Sequence, residues 1–192
     1  NYVRRLYLDD KALDGAQSDK LLMLPEKSYA LKMVSKVFHF FAREYGLFSL
    51  AEFETRIEET YKNMADQSLN WLAFLFITLA VGEQYSNEAV SKNRIPGMDF
   101  FLTTLKFFHE PIEEPTFDSI RTLLLIAFYS QGLNRMNSVF TYTGLALSTA
   151  MILGVHRRAS NSGLTKLEKE KRRKLWWTAF LMDSLWASRL GL

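Results

Sequence analysis

The sequence predicts an all-α fold, an antiparallel bundle of about seven principal helices that forms a fragment of a larger helical domain. Three observations carry that prediction. Apolar residues recur at helical spacing, capping signatures and glycines bound those runs, and no stretch alternates β-branched with polar residues or carries an Asn-Gly hairpin turn. With 192 residues, 48% of them hydrophobic and 14% aromatic, the chain can bury one real core, removing roughly 70% of the surface its unfolded form exposes.

Residues 1–24 mix charges with Gly15, Gln17 and Ser18 and read as an N-terminal arm or short helix. The helical domain is expected over 25–192. Pro25 suits a first helical turn, where its missing N–H is not needed. Ala30, Met33, Val34, Val37, Phe38, Phe41 and Tyr45 then keep helical spacing up to Gly46, placed to close the helix in a left-handed conformation. Ser49-Leu50-Ala51-Glu52 has the capping-box pattern and opens a helix carrying Phe53, Ile57, Tyr61 and Met64. Leu69 to Val81 is apolar all round, as buried helices are, and Gly82 is expected to end it.

A polar connection from Ser86 to Gly97 leads to a helix over Met98 to His109, which Pro111 ends, and an acidic link from Glu110 to Asp118 follows. Ile120 to Tyr129 and Val139 to Leu153 are expected as a hairpin across the polar turn Gln131 to Asn137, with Gly154 closing the second arm. Gly144, Ala146, Ser148 and Ala150 are small and admit a close neighbour. Thr165-Lys166-Leu167-Glu168 is a second capping box and starts the last helix.

In that last helix Arg172, Trp176, Ala179, Phe180, Asp183, Ala187 and Leu190 fall on one stripe, widened by Leu175, Met182 and Trp186. Asp183 is near its centre. A carboxylate there must be paired or protonated, so the spacing predicts an arginine partner from Arg172, Arg173 or Arg189 that locks helix packing; the competing role is a polar anchor in a ligand pocket. Trp176 and Trp177 point about 100° apart. Both are expected in the core, the alternative being that one walls an apolar pocket.

Charge and composition exclude several function classes. The net charge of +3 hides an asymmetry, since His156 to Lys174 carries eight Lys/Arg against two Glu. This basic segment is expected to solvate one helix face, with a nuclear-import signal or a phosphate-binding patch as the alternative. No cysteine occurs, so no disulfide, thiolate nucleophile or Cys-ligated zinc can form, which favours a reducing compartment. His39, His109 and His156 lie far apart, and no phosphate-binding glycine motif, nucleophile elbow or H-E-x-x-H is present, so no enzyme is expected. The start NYVRRLYLDDK has no signal-peptide core and the longest apolar run is too short to cross a bilayer, so a soluble protein without membrane contact is expected.

The stretch EKEKRRKLWWTAFLMDSLWASRLGL resembles the fungal-specific regulatory domain, or middle homology region, of zinc-cluster transcription factors. In that family a helix with a basic head, an aromatic pair, a central Asp and a terminal small-x-Gly segment follows a Leu-Gly-x-His-Arg stretch. Gly154, His156, Arg172, Arg173, Trp176, Trp177, Asp183 and Gly191 match as motif residues, together with Leu153, Arg157, Glu170 and Ser188. Upstream, Tyr45-Gly46-Leu47-Phe48-Ser49-Leu50 with Phe53 is similar to the family's first-helix exit, with Ser49 where a proline is common.

The resemblance implies a nuclear regulatory domain that controls transcription through a small-molecule effector or a coregulator protein, and it admits a homodimer. It implies no cofactor in this chain: zinc, and through it DNA, belongs to a separate N-terminal cysteine cluster. It also implies that the helical domain is truncated at its C-terminal end. The competing reading is a helical interaction scaffold of chromatin or kinetochore type without small-molecule sensing, marked by a large apolar patch outside the core.

Overall fold

The structure, a computed structural model, describes residues 24–86, 94–107, 113–157 and 163–191. Most of the expected arm, the middle of the Ser86–Gly97 connection, His109, the start of the acidic link, Arg158 and most of the loop before Gly163 lie outside the described residues.

Seven principal helices stand among the described residues, and no strand does. They are α1 (Lys27–Val37, continued by a π-helical turn Phe38–Ala42 and a last α-turn Arg43–Tyr45), α2 (Leu50–Lys62), α3 (Leu69–Gln84), α4 (Met98–Phe107), α5 (Phe117–Gly132), α6 (Met136–Ile152) and α7 (Lys166–Leu190). Helices α3 and α5 form the centre. α3 packs against α1, α4 and α5, while α5 also carries α6, and α6 carries α7.

The centre follows from sequence. Every residue of α3 from Asn70 to Gly82 is buried, and so is α5 from Ser119 to Ser130 apart from Arg121. Helices apolar on all sides gain most by being surrounded. Several of their polar groups pair: Ser119 Oγ donates to Asn70 Oδ1 at 2.7 Å, and Trp71 Nε1 donates to Thr60 Oγ1 at 2.8 Å, while the Thr122 hydroxyl is buried without a partner. Gly82 does not end α3, which runs on to Gln84. A Cβ at Gly82 would stand 2.7 Å from Met33 Cβ, so this glycine serves the close approach of α1 and not a helix stop.

Three further expectations shift. α5 starts at Phe117 because Thr116 and Ser119 form a reciprocal capping box. Its turn into α6 shrinks to Leu133–Arg135, with Leu133 buried and Asn134 left-handed at φ 59°. Ser49 occupies the N-cap of α2, but its hydroxyl makes no capping bond, and Glu52 is held by Lys171 of α7 instead of reaching back. The π-turn in α1 has no sequence signal, and it turns both Phe41 and Ala42 inward while Phe40 remains outside.

Candidate functional site

Helix α7 and the elements it touches gather most of the motif residues. Thr165 caps it: the hydroxyl accepts from Glu168 N at 3.2 Å and the Glu168 carboxylate accepts from Thr165 N at 2.8 Å. The Thr165 hydroxyl also donates to that carboxylate at 2.7 Å, and this bond first, with the one from the Thr165 N–H, holds the Glu168 carboxyl below its usual range. At the far end Gly191 takes φ 75° and donates its N–H to the carbonyls of Ala187 and Ser188.

The turn after α6 positions the next group. Gly154 is left-handed at φ 63° and turns the chain so that Val155 enters the core and His156 lies against Trp176, ring centroids 5.1 Å apart. Trp176 in turn stacks on Phe180 at 6.2 Å. Gly154, His156 and Trp176 therefore form one unit joining α6 to α7. Arg172 lies over the Phe117 ring at 4.7 Å, and Arg173 binds Glu170 through two nitrogens at 2.9 and 2.6 Å on the surface.

The buried stripe of α7 differs from the expected one. Leu175, Thr178, Ala179, Met182 and Trp186 form it, so the residues expected to widen the stripe are its centre, and Phe180 is exposed. Thr178 explains the rotation: its hydroxyl donates at 2.8 Å to the Tyr45 carbonyl left unpaired at the end of α1. Gly46, at φ 65°, completes the contact, since a Cβ there would meet Lys174 Cβ at 2.7 Å. Sequence reasoning missed Thr178; a lone threonine inside an apolar helix is its only signal.

Asp183 does not find its arginine. Half-buried at the stripe's edge, it faces Gly144 of α6, and among the described residues it makes no ion pair; Arg173 is engaged by Glu170 and Arg189 lies over the Trp186 ring at 4.9 Å. Burial alone raises its carboxyl above the usual range.

The two tryptophans divide as well. Trp176 is half-buried, while Trp177 is 47% exposed and, with Tyr45, Leu181, Met182 and Leu185, walls an open groove of about 590 Å³. Trp177, Leu181 and Leu185 recur every fourth residue, so α7 shows a second apolar face to the outside. A smaller cleft of about 170 Å³ lies where the basic head of α7 crosses α5 and the α1–α2 junction, lined by Phe38, Phe48, Arg121, Leu167, Lys171 and Lys174. Lys171, expected merely to be solvated, joins α7 to α2 through Glu52 there.

A cysteine-ligated zinc cluster cannot form in this sequence. The chain has no cysteine, and among the described residues no three histidines or carboxylates group at metal-binding distance. No helix of the described residues is long and apolar enough to cross a membrane.

Comparison with known proteins identifies the family. Residues 35–192 match the fungal specific transcription factor domain. The chain is 25% identical over 183 residues to Activator of stress genes 1 of Saccharomyces cerevisiae, covering 89% of this chain and 19% of that protein. It is 32% identical over 120 residues to the thiamine repressible genes regulatory protein thi1 of Schizosaccharomyces pombe, covering 59% and 16%, and 23% identical over 197 residues to the transcription regulator galc of Aspergillus niger, covering 96% and 23%. The chain thus spans about a fifth of the length of these relatives. No solved structure matches. The match over 35–192, with an all-helical architecture, places this chain in the fungal specific transcription factor domain family.

Proposed function

We propose that this chain is the regulatory domain of a longer zinc-cluster transcription factor, acting in the nucleus and controlling transcription through an effector or a coregulator. The observation that carries this reading is the family match over 35–192, supported by relatives that are transcriptional regulators. Catalysis has no part in it. DNA contact falls to a separate cysteine-rich zinc reader, because this chain has no cysteine to build one. Regulation follows if an effector or partner binds one packing of the bundle better than another.

A chelator experiment tests the division of labour. Removing zinc from the full-length protein should abolish DNA binding, while the helical circular dichroism of residues 24–191 stays unchanged. DNA binding by this domain alone, or its unfolding by the chelator, would sink the proposal.

The open face of α7 extends the reading. Trp177, Leu181 and Leu185 are the surface on which further helices of the same domain would pack, which supports a domain larger than this chain. The same face also suits the scaffold reading. A concentration-dependent dimer on a sizing column, lost on Leu181→Glu, would favour the scaffold.

A further inference from the structure

The cleft at the head of α7 holds polar groups that packing does not explain. Phe38, Phe48 and Leu167 give it an apolar wall, and Ser49, Arg121 and Lys174 line its rim. Its two carboxylates are already engaged: Lys171 holds Glu52, and Arg173 holds Glu170 at 2.9 and 2.6 Å. The donors are less well served. Lys174 is exposed and makes no hydrogen bond or ion pair among the described residues, with Gly46 bringing its stem against the end of α1. Ser49 occupies an N-cap, yet its hydroxyl makes no capping bond. Arg121 is fixed by Asp118 at 2.8 Å through one Nη, while its buried Nε has no partner. An unsatisfied buried donor costs free energy that a bound acceptor recovers.

We infer that this cleft binds a small organic anion, an apolar body carrying one carboxylate or phosphate group. The aromatic wall takes the body, and Lys174, Ser49 and the Arg121 guanidinium take the anionic oxygens. A volume of about 170 Å³ fits a metabolite-sized molecule, well below the roughly 300–1,000 Å³ of drug-sized pockets. Bound there, the anion bridges α7 to α2 and α5 and favours the packing in which the head of α7 is docked. As an effector site the cleft rests on the regulatory reading above; as a binding site it stands alone.

Isothermal titration of the full-length protein with phenyl phosphate, phenylacetate, inorganic phosphate and benzyl alcohol tests it. The expected result is saturable binding of at least one amphipathic anion, about tenfold or more tighter than inorganic phosphate or benzyl alcohol, and weakened about tenfold by Lys174→Gln. Neither amphipathic anion binding more tightly than inorganic phosphate, no saturable heat, or unchanged affinity in Lys174→Gln overturns it. Should that variant lose helical circular dichroism, Ser49→Ala replaces it, with an expected weakening of about fivefold; unchanged affinity again overturns the site. Reporter transcription separates the two claims. Binding with no effect of cleft variants on the reporter leaves the site and removes its effector role, whereas regulation that persists in variants unable to bind removes this site as the effector site and leaves the regulatory reading.

Discussion

Asp183 is a half-buried carboxylate whose environment offers burial and no compensating arginine among the described residues. Its folded-state proton affinity is raised, so above that folded value the ionised form is penalised, and stability falls as pH rises through it. Asp183→Asn should therefore melt higher than the parent at neutral pH, and the difference should vanish once the carboxylate is protonated in both states. Equal melting temperatures at neutral pH would show that the burial penalty is negligible; a lower one for Asn would restore a pairing role. Gly82 is the opposite kind of residue, one whose absent side chain matters. Gly82→Ala should destabilise by about 1–3 kcal/mol in denaturant unfolding, because its Cβ would stand 2.7 Å from Met33 Cβ and 2.9 Å from the Met33 carbonyl. That Asp183 is special is legible from its place on an apolar stripe. What surrounds it is not, since a one-residue rotation of α7, set by the Thr178 bond to Tyr45, moves it from the stripe's centre to its edge.

At the scale of elements, capping separates pattern from geometry. Ser49–Glu52 and Thr165–Glu168 have the same signature, yet only the second closes, because Lys171 holds Glu52. Thr165→Ala should cost about 1 kcal/mol of stability, whereas Ser49→Ala should change unfolding by less than about 0.5 kcal/mol. Equal losses would mean that Ser49 caps α2 in solution. The faces of α7 make a second contrast. Trp186→Ala should cost about 3–5 kcal/mol, its ring being 2% exposed, while Trp177→Ala should be close to neutral in this chain. Helix number and order are legible because periodicity and terminal glycines are local. The π-turn in α1 and the continuation of α3 through Gly82 are not, because both depend on a neighbouring helix.

For the whole molecule, the fold presents a completed core around α3 and α5 and an outer helix with one face still open. On the proposal that further helices cover this face, a double change, Trp177→Glu with Leu181→Glu, should leave the melting of residues 24–191 nearly unchanged but lower that of the full-length protein; equal tolerance in both would show that the face stays open. The family is legible in the last third of the sequence, where Gly154, His156 and Trp176 form one packed unit in space. The cleft at Arg121 and Lys174 has no such legibility, since it joins residues from α1, α2, α5 and α7. The most direct test of the regulatory role is reporter transcription by the full-length protein with and without residues 35–192. The deletion should keep DNA binding but fix transcription at one level, whatever the growth condition. A reporter that still responds normally without those residues would contradict it.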